Sequence, residues 1–167
     1  MKKSIINLLE PLFLALTGYM GATGLMLFAN SQGISGAAKQ AMLAAVTDGK
    51  ALKAALYLAS ATTGPSNATY TATGEVSGSG YTAGGVSVTN ANTAGLTGTT
   101  SFWTPSAAIS FPTVTLAASF DAVMIYSTTD ANRSLGVYTF TAQTITAGTL
   151  TLTMPTNDAS TGLMRVA

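Results

Sequence analysis

Six carboxylates carry most of the chemistry open to this sequence: Glu10, Asp48, Glu75, Asp121, Asp130 and Asp158. Neither histidine nor cysteine occurs in its 167 residues. Proton transfer at neutral pH runs mostly through histidine, or through a carboxylate whose pKa has been moved by burial or a neighbour, and these acids stand singly. Ser-His-Asp triads, thiolate nucleophiles and Cys/His zinc sites are excluded by composition. Carboxylate chemistry and a Ser-Lys pair remain. A glycosidase-type pair needs two acids within about 5 to 10 Å, and no spacing here brings two together. Calcium takes roughly 6 to 8 oxygens, and the chain has no DxDxDG-type cluster. The residues therefore predict no catalytic, metal or cofactor site, and a structural or binding protein.

The glycine-rich stretch Gly74-Glu75-Val76-Ser77-Gly78-Ser79-Gly80 resembles a phosphate-cradling loop. It lacks the strand-loop-helix setting and the GK[ST] ending that such a loop needs. It reads instead as a β-turn or bulged loop, with Glu75 placed to orient it by accepting backbone N–H bonds. Phe102, Phe111, Phe120, Tyr126, Tyr138 and Phe140 read as core or cross-strand aromatics. Trp103, between a Gly/Thr-rich loop and Pro105, is a candidate interface anchor. Tyr81 on the glycine loop is a second candidate contact. Arg133, three residues after Asp130, forms either a solvated turn pair or an intersubunit contact.

Those residues sit on an unusual background. Only 8% of the chain is charged, against about 25% in ordinary soluble domains, and the net charge is +1. A nearly neutral Thr/Ala/Gly surface tends to associate, so much of this one is expected to be covered by partners or by copies of the chain. Lys2, Lys3, Lys39, Lys50 and Lys53 all fall in the first third, leaving no basic patch for nucleic acid.

Three regions must position these groups. Residues 1–33 are a hydrophobic N-terminal arm, in which Leu12 to Ala29 runs without a charge. That run is at the lower edge of a membrane-spanning length. Its sequence fits a docking arm, a membrane anchor over residues 5–29, or a processed signal; as an arm it offers Leu12, Phe13, Leu14, Tyr19, Met20, Leu25 and Phe28 as contacts. Residues 34–50 read as a short helix capped by Ser35 and ended by Asp48-Gly49. Ala38, Met42 and Ala45 or Val46 are expected on its buried face, with Lys39 and Gln40 off it. Residues 51–167 switch to period 2. Strands are expected at 52–60, 68–73, 80–89, 106–111, 113–118, 122–127, 135–141 and 149–154. The fold class is mainly β: an antiparallel β-sandwich or barrel of about eight strands.

Ala51 to Ala59, Tyr70 to Gly85 (YTATGEVSGSGYTAGG), Ala122 to Tyr126 and Asn132 to Val137 together resemble a group of small β-rich virion proteins of tailed bacteriophages. The resemblance spans about residues 36–167, and the glycine-loop motif is its most specific part. It implies a structural role on the particle, as a capsid decoration (cement) protein or a tail, neck or fibre component, and brings no catalytic residues. The partners it implies are the major capsid protein or another virion protein, with a homo-oligomer as the working form.

Overall fold

A computed structural model describes residues 33–167. The helix α1 (Gly36–Thr47) precedes ten strands: β1 (Leu52–Leu58), β2 (Gly78–Ser79), β3 (Val86–Val88), β4 (Gly95–Thr97), β5 (Thr100–Trp103), β6 (Ile109–Leu116), β7 (Phe120–Ser127), β8 (Arg133–Gln143), β9 (Gly148–Leu152) and β10 (Met164–Val166). They form three antiparallel sheets, ordered β3-β1-β7-β8, β10-β5-β4 and β2-β6-β9. Among the described residues the fold is thus mainly β and antiparallel, with one short helix ahead of the strands.

The largest sheet owes its stability to the two strands at its centre. Val123-Met124-Ile125-Tyr126 in β7 and Ala54-Ala55-Leu56-Tyr57 in β1 are buried on both faces, which is why they read as continuous apolar runs rather than alternating ones. One face meets the other two sheets in the main core, around Leu56, Trp103, Ile109, Phe111, Phe120 and Ile125. Phe120 and Phe140 meet there edge to face, centroids 5.9 Å apart, a geometry worth about 0.5–1.5 kcal/mol beyond area burial. The opposite face carries Ala55, Tyr57, Ala122, Met124 and Tyr126. Tyr70, from the long connection between β1 and β2, covers it by stacking on Tyr126 at 4.7 Å.

Several strand expectations are corrected. The two segments 106–111 and 113–118 are one strand, β6, bent at Pro112-Thr113, where the register with β9 shifts and Thr113 takes φ 49°. The expected strand 68–73 reduces to a single bridge, Thr69 to Arg133. The segment 80–89 contributes only β3. Conversely β2, β4, β5 and β10 form where no strand was expected, raising the count among the described residues to ten.

The helix begins and ends as its caps dictate. Ser35 accepts a hydrogen bond from Ala38 N–H at 3.2 Å, and Gly49, at φ 66°, follows the last turn. Its buried face matches the expected one only at Val46, which packs against the main core. Leu43 and Thr47 point inward, while Met42 is 49% exposed and Ala38 and Ala45 face solvent. Gln40 donates to Ala94 O at 2.8 Å and Lys39 to Thr99 O at 3.3 Å, so the polar residues placed off the face lie against β4 and its turn. In an alanine-rich helix the apolar stripe is too weak to orient it, and cross-chain hydrogen bonds decide.

Candidate functional site

The acid on the glycine loop gathers the densest polar cluster. Glu75 Oε2 accepts from Tyr70 Oη at 2.6 Å. Its Oε1 accepts from Tyr81 Oη at 2.7 Å and from Gly84 N–H at 2.7 Å. Tyr81 Oη also accepts from Leu56 N–H at 3.0 Å, and Tyr126 Oη donates to Gly84 O at 2.8 Å. The loop reaches this position because Gly84 and Gly85 have φ of 85° and 69°, and because a Cβ on Gly85 would collide with the Ala54 carbonyl of β1. Orientation of the loop through a backbone N–H matches the expectation for Glu75; the two tyrosines were not legible in the spacing.

The electrostatics of this cluster favour neutral phenols. Burial raises the pKa of Tyr70 and of Tyr81, and the hydrogen bond each donates to Glu75 raises it further. Tyr57 and Tyr126 are also pushed up, first by burial. A carboxylate with three donors and no second acid among them has the chemistry of a loop clasp: it fixes backbone.

The other acids with hydrogen-bond partners also hold backbone or turns. Asp48 Oδ1 accepts from Ala94 N–H at 2.8 Å and from Thr47 Oγ1 at 3.0 Å, tying the end of α1 to the segment before β4. Asp130 pairs with Lys50 at 3.0 Å and accepts from Ser127 Oγ. The Lys50 hydrogen bond holds its carboxyl below the usual range. Asp158 accepts from the Ser160 hydroxyl and from the backbone N–H groups of Ser160 and Thr161, which bring it down to about 2. Among the described residues no group of three acids, histidines or cysteines is placed to hold a metal ion.

The sequence-derived contact residues fare differently from one another. Trp103 is fully buried in the main core, its indole N–H donating to Asn92 O at 3.3 Å. Its role as an interface anchor is therefore corrected: a Gly/Thr-rich neighbourhood concealed a core position. Tyr81 uses its hydroxyl on Glu75 and Leu56 and stacks its ring near Phe111 at 6.0 Å, so it too serves the chain's own packing. Arg133 is exposed at the start of β8. Of its two expected readings, the turn pair is corrected, because Asp130 is bridged to Lys50 instead. Leu12, Phe13, Leu14, Tyr19, Met20, Leu25 and Phe28, and the span 5–29, lie outside the described residues. Among the described residues no helix is long and apolar enough to cross a membrane.

Three surface features were missed from sequence. Met42 on α1 and Leu96 on β4 are exposed large hydrophobic residues. The second feature is a pair of sheet-edge strands, β8 and β9, in a stretch with no charge between Arg133 and Asp158. The third is an apolar cleft of about 150 Å³ whose lining includes Tyr138 and Phe140 of β8, Leu152 of β9, and Ile109, Val123 and Ile125. The unbroken absence of charge from Ser134 to Asn157 was the available signal for the edges; nothing in the sequence marked the cleft. Comparison with known proteins finds no matching family model, no similar curated protein and no similar solved structure.

Proposed function

We propose that this chain is a structural protein of a tailed-bacteriophage particle, acting as a capsid decoration (cement) protein. The observation that carries the reading is the scarcity of charge on a surface that includes two sheet edges: Arg133 and Asp158 bracket β8 and β9 without a charge between them. Such edges invite pairing when left in solvent, and a permanent place in an assembly removes that hazard. The hydrogen-bonded carboxylates support the same reading, since Glu75, Asp48, Asp130 and Asp158 clasp loops and turns. The resemblance of the GEVSGSGYTAGG stretch to small phage virion proteins adds the kind of particle.

In this reading Ser35–Ala167, a compact unit, docks on the shell protein. The apolar stretch Leu12–Ala29 serves as an arm across neighbouring subunits. Burial of apolar surface, at about 25 cal/mol per Å², is the driving force, offset in part by the cost of ordering the arm.

Quantitative mass spectrometry of purified particles tests the proposal by counting this chain against the major shell protein. A copy number of the same order as the shell protein is the expected result. A count far below it would move the chain to the tail, neck or fibre adaptor. Absence from particles, with recovery in a membrane fraction, would replace the virion reading by a membrane-anchored surface module.

A further inference from the structure

We propose that two copies of this chain associate through the outer edge of β8, antiparallel about a two-fold axis, joining their four-stranded sheets into one. The inference does not depend on which particle carries the chain.

The edges of the three sheets are treated differently. β2, β3, β4 and β10 are two or three residues long, a length that offers a neighbour little to pair with, and the edge strand β9 has five. β8 has 11 residues and is the outermost strand of its sheet. Among the described residues its outer side is covered at the beginning, where Ser134 N–H donates to Ala68 O at 3.0 Å and Tyr70 N–H donates to Asn132 O at 2.8 Å. Among the described residues no strand pairs with that side from Leu135 to Gln143. Soluble proteins defend such an edge with lysine, proline or an inward charge. Here Leu135 to Gln143 contains none of these; its register against β7 shifts between Ser134 and Gly136 and again between Thr139 and Gln143, leaving Gly136 to Thr139 as the regular stretch, and its exposed positions are Thr139, Thr141, Ala142 and Gln143.

A second copy is the occupant that fits this edge. A two-fold contact uses one patch on both subunits, so a charge near its centre would face its own duplicate, and like charges directly opposite each other destabilise a sheet. The free segment runs from Leu135 to Gln143, with Thr139 at its middle. An axis there places no charge opposite a like charge, because Arg133, the only charged residue in β8, lies at the end of the strand. Threonines across such a pair suit β geometry and can hydrogen-bond to one another.

The absence of cysteine from the chain makes the test direct. Single cysteines placed from Gly136 to Gln143 in the full chain, with Ser66→Cys and Thr156→Cys as exposed controls, are oxidised and scored for disulfide dimer. The expected profile peaks at one position near Thr139 and falls on either side, with both controls low. Independently, Thr139→Lys is expected to weaken self-association by about tenfold in sedimentation, because it sets two like charges across the axis. A flat profile equal to the controls, or an oligomer unchanged by Thr139→Lys, would overturn the proposal. A β8 cysteine that cross-links in the particle only to a different protein would overturn it as well, assigning the edge to that partner.

Discussion

The two faces of the main sheet and its outer edge are built from the same charge-poor residues, yet one side is closed and the other open. On the Glu75 side, a long connection lies over β1 and β7, Tyr70 stacks on Tyr126, and a carboxylate collects three hydrogen bonds. On the β8 side, Thr139 and Thr141 face solvent and the apolar cleft lies behind Tyr138 and Phe140. The difference shows what one charge does in this chain. Where a carboxylate is supplied with donors it pins a loop and seals a sheet face; where charge is absent over a long stretch, an edge is left able to pair.

The closed region should break most severely at its aromatic core. Trp103→Ala is expected to cost about 3–5 kcal/mol of folding stability through lost burial and a cavity, measured by denaturant unfolding. A variant of unchanged stability but impaired particle binding would instead return Trp103 to an interface role.

Glu75→Gln tests the clasp itself. One acceptor oxygen replaces two, and an amide N–H₂ then faces a tyrosine hydroxyl, so the expected loss is about 1–3 kcal/mol. The same cluster predicts alkaline behaviour. The folded pKa values of Tyr57, Tyr70, Tyr81 and Tyr126 lie above the unfolded value near 10, and burial alone raises Tyr138 to about 12. Their contribution to stability is complete below about pH 10 and is lost as pH rises through the folded values. Absorbance at the tyrosinate band should accordingly rise together with loss of the β circular-dichroism signal. Ionisation of these tyrosines near their ordinary pKa in a still-folded chain would show that the cluster is open to water.

The open region should respond least in stability. Thr141→Lys, on the exposed side of β8, is expected to shift the unfolding free energy by no more than about 0.5 kcal/mol. A large destabilisation there would mean that β8 is packed more tightly than its exposure indicates, and the contrast between the two regions would narrow.

Local pattern was sufficient for the elements whose signal is local. Ser35 and Asp48-Gly49 delimit α1 because capping is a matter of a few neighbouring residues. The expected strands 52–60 and 122–127 correspond to β1 and β7, whose apolar stretches Ala54–Leu58 and Ala122–Tyr126 suit a buried strand. The long β8 announced itself in Val137-Tyr138-Thr139-Phe140-Thr141. β4 and β10 carried no such signal: each is three residues long and exists because β5 lies between them. Ala38 and Met42 were misplaced on α1 for a related reason, since Gln40 and Lys39 find their carbonyl acceptors more than fifty residues away in sequence.

By itself the sequence determined a mainly β chain with one short helix, a glycine loop oriented by an acid, and a surface poor in charge. These follow from periodicity, capping and composition, which act over a few residues or over the chain as a whole. Only the tertiary structure decided that Tyr70 and Tyr81 meet at Glu75, that Asp130 pairs with Lys50 rather than Arg133, that Trp103 is core, and that β8 is the long edge strand of its sheet among the described residues. Each depends on which distant segments the sheets bring together, and hydrogen bonds, ion pairs and burial are set by proximity in space, on which spacing along the chain is silent.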